Sequence, residues 1–511
     1  MSQNLYHALS GGFPADRSAT VFAVPGRRDY SFAELETGAA RMAALLRALD
    51  VAPGDRVMAQ VDKSPEAVFL YLACLRAGAI YLPLNTAYLE AELEYFISDA
   101  EPSVIVCEPA RAAAIGALAA RLGGAHVLTL GAAGDGSLIE RSQSLEPATE
   151  IAETGADDIA AICYTSGTTG RSKGAMLSHA NLASNAQTLH KLWRFTPGDV
   201  LLHALPIFHV HGLFVAIHCA LLNGSKMIFL PRFDADEMVR QMPNATVMMG
   251  VPTFYVRLLA HPGFTREVCT NMRLFIAGSA PLLAETFAEF EARTGHRVLE
   301  RYGMTEAGMV TSNPYEGERR PGKVGQALPG VEVRIADEDG RILPSGEVGI
   351  LEYKGPNVFK GYWRMPEKTE EEFRQDGFFI SGDLATLDED GTVTIVGRAK
   401  DLIISGGFNV YPKEVEGFID ELDGVGESAV VGLPHPDFGE VVAAVITAAG
   451  PAAKPDEASI IAALKDRLAG FKVPKRVFVV DELPRNTMGK VQKTLLRERY
   501  AGTFEGTTPP R

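Results

Sequence analysis

Short apolar runs that end in a glycine, proline or serine turn and lead into helix-like sequence recur through the first 300 residues or so. Examples lie at residues 246–251, 274–277 and 298–302. A capping box at residues 31–34 opens a helix whose apolar positions recur at helical spacing. This alternation predicts α/β layering with buried, mostly parallel strands. Ligands of such sheets bind beyond the carboxyl ends of the strands.

The pattern changes at about residue 325 to short β runs separated by glycine and aspartate, as at residues 331–335 and 349–353. These runs predict a small β-barrel-like subdomain rather than more parallel sheet. A second α/β pattern then follows. We therefore predict a large N-terminal domain with doubly wound parallel sheets over residues 1–399, and a small α/β domain over residues 400–511.

Composition and charge exclude several functional classes. The net charge of −15 and the sequence pI of about 5.3 disfavour a nucleic-acid partner. No apolar run reaches the roughly 18 residues that a membrane span needs, and the start of the chain does not resemble a signal peptide. The five cysteines are scattered without a Cys-x-x-Cys pair, which is typical of a reducing compartment. We expect a cytoplasmic protein with neither a membrane nor a nucleic-acid partner.

A loop rich in glycine, hydroxyl and basic residues follows the strand-like run 159–163 and reads Tyr-Thr-Ser-Gly-Thr-Thr-Gly-Arg-Ser-Lys-Gly over residues 164–174. Glycines let the backbone approach a polyanion, while hydroxyls, N–H groups and a lysine bind phosphate oxygens. Because the loop lacks Walker A spacing, it would hold a nucleoside triphosphate in another way. The alternative is a mobile linker. The candidate phosphate ligands are Thr165, Ser166, Gly167, Thr168, Thr169 and Lys173.

Three further motifs place charged side chains where nucleotide chemistry needs them. In the Arg-Tyr-Gly-Met-Thr-Glu run at 301–306, Thr305 can donate to a phosphate and Glu306 can hold Mg²⁺, which prefers carboxylates plus phosphate oxygens. Asp383 follows a tight turn in a Ser-Gly-Asp-Leu segment. Lys490 closes a Pro-Arg-Asn-Thr-Met-Gly-Lys segment and could offset charge in an in-line displacement at phosphorus. Each could instead be a solvated loop residue.

In this order, the motifs resemble those of the adenylate-forming enzymes, which include acyl-CoA synthetases, peptide-synthetase adenylation domains and firefly luciferase. The resemblance covers about residues 20–500 and implies ATP and CoA as co-substrates, Mg²⁺, and a mobile C-terminal lid. It implies that Lys490 enters the site during adenylation, that Asp383 binds the ribose diol, and that Arg398 contacts the ribose or the phosphates. Lys400 matches the hinge of the lid. The further residues implied in nucleotide or CoA binding are Tyr302, Gly303, Met304, Gly406 and Gly407.

One arginine near the expected acyl pocket bears on the choice of acid. Residues 206–212 resemble the acyl-pocket segment of CoA ligases, and Pro252 favours a helix start. Arg257 on that helix is wrong for a fatty or aromatic tail but suits a second carboxylate, which it could clamp bidentately. Arg257 could instead face solvent, and Arg232 is then the second candidate. The other candidate substrate residues are His209, Ser279 and Met304.

Residues 302–325 and 209–214 resemble malonyl-CoA synthetases more than the long-chain or aryl branches of the family. This resemblance implies an ATP-dependent malonate–CoA ligase that forms malonyl-AMP and releases pyrophosphate and AMP. It also implies a lysine acyltransferase and a deacylase as partners that act on Lys490. The alternatives are a CoA ligase for another short, methyl-branched or aryl acid, a carrier-loading adenylation module, and a nucleotide sensor without activity.

Overall fold

The computed structural model describes residues 3–165, 172–405, 408–435, 438–450, 453, 455–486 and 489–504. Its contacts divide the chain into two compact units. The first is Met1–Glu332 with Lys354–Phe379, and the second is Val333–Tyr353 with Ile380–Arg511. The predicted domain boundary at residue 400 describes which part of the chain would move as a lid. A division by contacts does not test it, and it stays a prediction.

The first unit alternates strands and helices. Its strands are β1 (Thr20–Ala23), β2 (Tyr30–Ser31), β3 (Arg56–Gln60), β4 (Ile80–Pro83), β5 (Val104–Cys107), β6 (His126–Thr129), β7 (Ile159–Thr165), β8 (Lys173–Ser178), β9 (Val200–His203), β10 (Lys226–Phe229), β11 (Val247–Gly250), β12 (Leu274–Ala277), β13 (Leu299–Met304), β14 (Gly308–Ser312) and β15 (Gln326–Ala327). Its helices are α1 (Leu5–Ser10), α2 (Phe32–Ala48), α3 (Pro65–Ala77), α4 (Glu90–Ala100), α5 (Ala112–Arg121), α6 (Ser137–Gln143), α7 (His179–Leu192), α8 (His218–Leu221), α9 (Ala235–Gln241), α10 (Pro252–Leu259), α11 (Ala284–Thr294) and α12 (Pro366–Glu371). A π-helical turn, His211–Ile217, leads directly into α8.

Two sheets organise this unit. Within the described residues they have the strand orders β6-β5-β3-β4-β7-β8 and β15-β14-β13-β12-β11-β9-β10-β1-β2. β11, β12 and β13 pair in parallel, whereas β7 and β8 pair antiparallel. The parallel pairs confirm the predicted α/β class. Because the carboxyl ends of parallel strands share one edge, the turns after β11, β12 and β13 lie side by side.

Helix α2 shows how local sequence sets an element. The Ser31 hydroxyl accepts a hydrogen bond from the Glu34 N–H at 3.2 Å, and the Glu34 carboxylate accepts one from the Ser31 N–H at 2.8 Å. This is the predicted capping box. The apolar side of the helix is buried against the core at Leu35, Met42, Leu45 and Leu46.

The remaining elements belong mainly to the second unit. Their strands are β16 (Glu332–Ala336), β17 (Gly349–Lys354), β18 (Phe379–Leu387), β19 (Val393–Arg398), β20 (Ile403–Ser405), β21 (Phe408–Val410), β22 (Val425–His435), β23 (Gly439–Ala448) and β24 (Arg476–Val480). Their helices are α13 (Pro412–Asp420), α14 (Glu457–Lys465) and α15 (Lys493–Tyr500).

These strands form two small sheets. The predicted β region is a four-stranded sheet in the order β16-β17-β18-β19. The following α/β segment has the order β21-β20-β23-β22, with β24 parallel to β23. Its core includes Ile460 and Leu464 of α14. Among the helices described, none combines the length and the apolar character that crossing a membrane requires.

Candidate active site

The end of β13 and the turn after it carry the Met304-Thr305-Glu306 part of the predicted motif. β13 continues past its parallel partner and pairs antiparallel with β14, so that Gly303 lies opposite Met309. A Cβ on Gly303 would lie 1.9 Å from the Gly308 carbonyl oxygen, so a side chain cannot fit there. The glycine therefore permits the close approach that turns Thr305 and Glu306 away from the strand. Glu306 is buried, and Thr305 is half-buried.

A tyrosine outside the predicted set joins Glu306 to a second carboxylate. The Tyr362 hydroxyl lies 3.0 Å from Glu306 Oε1 and 2.6 Å from Glu372 Oε2. A phenol carries one proton, so Tyr362 can donate to only one of these carboxylates at a time. Burial and the two nearby carboxylates raise the pKa of Tyr362 well above its usual value, which keeps the donor protonated.

Lys173 reaches the same cluster from the end of the glycine-rich loop. Its ammonium lies 2.7 Å from Glu372 Oε1 and 4.0 Å from the centre of the Tyr362 ring. Burial works to raise the pKa of Glu372, but hydrogen bonds from Lys173 and Tyr362 outweigh it and hold that pKa below its usual value. Thr165 and Lys173 are cross-strand partners on β7 and β8, and the Thr165 hydroxyl donates to the Lys173 carbonyl at 3.4 Å. Both ends of the predicted phosphate loop are therefore fixed in the sheet.

A buried arginine lies beside the turn that follows β12. Arg301 is 2% exposed, and its Nε and Nη2 atoms have no hydrogen-bond partner among the described residues. Burial lowers the pKa of this guanidinium to about 9. A Cβ on Gly278 would lie 2.2 Å from Arg301 Nη1, so the glycine makes room for the guanidinium. A buried cation without a partner is costly to a fold, which makes this position a candidate anion site.

Two polar side chains lie next to this arginine. His211, at the start of the π-helical turn, is 1% exposed, and its Nδ1 lies 3.3 Å from the Ser279 hydroxyl. Its Nε2 has no hydrogen-bond partner in the part of the chain that the structure describes. Burial, and then the charge of Arg301, lower the pKa of His211 well below its usual value, so the imidazole is neutral at pH 7. Ser279 has a φ of 71°, in the left-handed region that strains a residue with a side chain.

His209 contacts this group from two residues earlier in the chain. Its Nδ1 accepts a hydrogen bond from the His211 N–H at 3.2 Å. His209 therefore helps to fix the start of the π-helical turn that carries His211. Tyr302 and Met304 are half-buried at the end of β13, and the Tyr302 hydroxyl lies 3.9 Å from the Met304 sulfur.

The other predicted residues lie in the second unit. Asp383 is buried on β18, and its Oδ1 accepts a hydrogen bond from Arg398 Nε on β19 at 2.7 Å. Lys400 is exposed in a short 3₁₀ turn, Ala399–Asp401. Lys490 is exposed, and its N–H donates to Asn486 Oδ1 at 3.0 Å. Ser166, Gly167, Thr168, Thr169, Gly406 and Gly407 lie outside the described residues.

Comparison with known proteins decides the family. A model of the AMP-binding enzyme family matches residues 9–363, and a model of the AMP-binding enzyme C-terminal domain matches residues 414–490. The chain belongs to the AMP-binding enzyme family. Among solved structures, this AMP-binding enzyme is similar to the crystal structure of ATP-bound MatB from Rhodopseudomonas palustris. The two are 57% identical, with a TM-score of 0.97 and coverage of 99% of this chain and 100% of that chain.

Two curated relatives are also similar to this AMP-binding enzyme. Feruloyl-CoA synthase of an Amycolatopsis species is 38% identical, over 92% of this chain and 94% of the relative. Malonate–CoA ligase of Arabidopsis thaliana is 34% identical, over 92% of this chain and 84% of the relative. These matches confirm the resemblance to the adenylate-forming enzymes. The chain is an acid–CoA ligase that uses ATP and CoA.

The structure revises the predicted carboxylate clamp of this AMP-binding enzyme. Arg257 is exposed on α10, with its guanidinium 6.0 Å from the centre of the Phe233 ring, and Arg232 is exposed as well. The buried side of α10 holds Phe254, Tyr255 and Leu258 instead. An exposed arginine is solvated and pairs weakly with a carboxylate, so neither residue suits a buried clamp.

Sequence reasoning did not single out Arg301 or His211 as ligands of the acid. Both stand in segments that carry the family resemblance, at 301–306 and 209–214. The available signal for Arg301 is its place at the end of a buried parallel strand, where a charged side chain is unusual unless it has a partner. Neither Tyr362 nor Glu372 stands in a predicted motif.

Proposed function

We propose that this CoA ligase activates malonate. The malonate carboxylate attacks the α-phosphate of ATP to give malonyl-AMP and pyrophosphate, and the CoA thiol then displaces AMP. The observation that carries the proposal is the buried guanidinium of Arg301, beside neutral His211 and the Ser279 hydroxyl. The second carboxylate of malonate would supply the acceptor that Arg301 lacks among the described residues.

The same arginine argues against acids with apolar tails. A fatty or aryl tail would leave the guanidinium buried and unpaired. This state costs about 3–5 kcal/mol relative to a paired charge. The name of the Arabidopsis relative supports malonate, whereas the similarly related feruloyl-CoA synthase shows that overall identity does not separate the acids. The choice of malonate therefore depends on the chemistry of the pocket.

Glu306 is the proposed ligand of Mg²⁺. It is a buried carboxylate beside Thr305 at the end of β13, and a neutral phenol is among its described neighbours. A carboxylate beside the phosphates is the ligand type that Mg²⁺ takes, so the residues fit this ion. When bound, Mg²⁺ would neutralise charge on the polyphosphate.

Several proposed roles concern nucleotide and CoA binding. Asp383 would accept hydrogen bonds from the ribose diol, with Arg398 holding its carboxylate in place at 2.7 Å. Lys490 would present its ammonium to the attacking carboxylate and the α-phosphate. We propose Lys400 as the hinge of a lid formed by residues 400–511. Gly406 and Gly407 would line the path of the pantetheine arm.

A panel of acids tests the proposal. We expect AMP release with CoA to be fastest with malonate, slower with methylmalonate, and at least about a hundredfold lower in kcat/KM with acetate, butyrate or benzoate. Omitting CoA should stop turnover after the adenylate forms, because the thiol is needed to release AMP. Butyrate or benzoate as the best acid would overturn the malonate proposal and leave the CoA ligase activity intact.

We also propose that acylation of Lys490 regulates the enzyme. Lys490 is exposed, so a lysine acyltransferase and a deacylase could reach it, and acylation removes the charge that adenylation needs. We expect chemical acetylation to stop pyrophosphate release without lowering the melting temperature, and a deacylase to restore activity. Mass spectrometry should assign the loss to Lys490. Full activity with stoichiometric acyl-Lys490 would contradict the proposal, as would a loss that follows Lys472 or Lys493.

The cytoplasm is the proposed location. All five cysteines are free and buried in the structure, as expected for a protein that folds in a reducing compartment.

A further inference from the structure

Four polar side chains form a continuous network in the first unit, the Glu306–Tyr362–Glu372–Lys173 network. The Tyr362 hydroxyl lies within hydrogen-bond distance of both carboxylates, at 3.0 Å and 2.6 Å. Glu372 also binds the Lys173 ammonium at 2.7 Å, and that ammonium lies over the Tyr362 ring. The network connects the proposed metal ligand to the lysine that ends the proposed phosphate loop.

We propose that Glu372 is a positioning residue for ATP, and that it acts by holding the Lys173 ammonium in place at the end of the phosphate loop. The proposal rests on the assignment of Lys173 to the phosphates under the proposed function. It does not depend on which acid the enzyme takes.

The side chain of a lysine is a flexible four-carbon chain that ends in a strongly hydrated ammonium, so the position of the ammonium is poorly defined unless neighbours fix it. Glu372 fixes the ammonium through charge, and the Tyr362 ring fixes it through a cation–π contact. The side chains of Lys173 and Glu372 are only 19% and 20% exposed, so water screens this pair less than a surface pair. Ordering Lys173 before ATP arrives reduces the entropy that binding must offset.

Lys368 also contacts Glu372, at 3.3 Å, so the carboxylate has two cationic neighbours in the described structure. An ammonium has three N–H donors, so Lys173 can bind a phosphate oxygen while it still donates to Glu372, and Lys368 helps to compensate the carboxylate. Holding Lys173 therefore does not require Glu372 to compete with the nucleotide. Glu372 is therefore expected to favour ATP binding rather than to oppose it, so replacing it should weaken ATP binding.

The test measures binding of a non-hydrolysable ATP analogue and of AMP to the full-length enzyme by calorimetry, with and without Mg²⁺. We expect Glu372→Gln to weaken the ATP analogue about tenfold, the equivalent of the rotamer entropy of one lysine, and to leave AMP within about twofold. Glu371→Gln is the matched control, because Glu371 is the adjacent carboxylate, is 66% exposed and binds only Lys368 among the described residues. We expect it to leave both affinities unchanged.

The double variant decides whether Glu372 acts through Lys173. Lys173→Ala alone should weaken the ATP analogue at least as much as Glu372→Gln, and adding Glu372→Gln to it should cause no further loss. Glu372→Asp keeps the charge and should give an intermediate affinity, which provides a second readout if the amide variant folds poorly.

The outcomes separate this inference from the proposed function. Unchanged ATP-analogue affinity in Lys173→Ala would overturn the phosphate assignment and, with it, the inference. A loss in Lys173→Ala without one in Glu372→Gln would overturn the inference alone, as would tighter binding by Glu372→Gln or additive losses in the double variant.

Discussion

Replacing Arg301 with methionine should lower kcat/KM for malonate by roughly a hundredfold to a few thousandfold, which corresponds to a loss of about 3–5 kcal/mol of transition-state stabilisation. The proposed reason is that the second carboxylate of malonate would lose its guanidinium partner and enter a buried site without a cation. With butyrate, which has no second carboxylate, we expect kcat/KM to stay the same or to rise. The measurement is steady-state AMP release with each acid at saturating ATP and CoA.

The matched control for this experiment is Arg257→Met. Arg257 is exposed on α10, so we expect its replacement to change kcat/KM for both acids by less than about threefold. Because Arg301 is a buried cation whose Nε and Nη2 atoms lack partners among the described residues, Arg301→Met should preserve or raise the melting temperature. A selective loss of malonate activity in Arg257→Met would restore the clamp that the sequence predicts. Equal loss of both acids in Arg301→Met would remove the main support for malonate.

Lys490→Ala should lower the adenylation rate by at least about 10²–10³-fold and spare the second half-reaction. The proposed role of the ammonium is to offset charge at the α-phosphate, and malonyl-AMP has already passed that step. Pyrophosphate release from malonate and ATP measures the first half-reaction. Malonyl-CoA formation from supplied malonyl-AMP measures the second.

Lys465→Ala serves as the control for Lys490, because Lys465 is another exposed lysine of the second unit, on α14. It should leave both half-reactions unchanged. An equal loss of both half-reactions in Lys490→Ala would show that the residue matters for folding or for a shared step, and would contradict the role in adenylation.

Features that depend on near neighbours in the chain could be predicted from the sequence. The capping box at Ser31 forms as predicted, and the apolar run 274–277 coincides with β12. Each depends on residues within one turn of a helix or one short strand, where side-chain chemistry and backbone preference act together. The family resemblance succeeded for a related reason, since each of its motifs is a continuous segment.

Features that depend on which way an element faces could not be predicted. The spacing of Thr253 and Arg257 places both on one side of α10, but spacing does not say which side meets the core. The Tyr362–Glu306 and Glu372–Lys173 contacts join residues 56 and 199 positions apart. No single segment contains either pair, and only the fold of the chain brings them together.

The π-helical turn at His211–Ile217 makes the proposed acyl pocket sensitive to the number of residues in this turn. A π-turn contains one residue more than the α-helical turn that the same ends could form. Loss of one residue from this turn would allow an ordinary α-helix and would rotate the preceding side chains by about 100° around its axis. His211 would then turn away from Ser279, although no pocket residue had been substituted. Among relatives of this chain, acid preference could therefore diverge by a single-codon deletion, which a comparison of pocket residues at aligned positions would overlook.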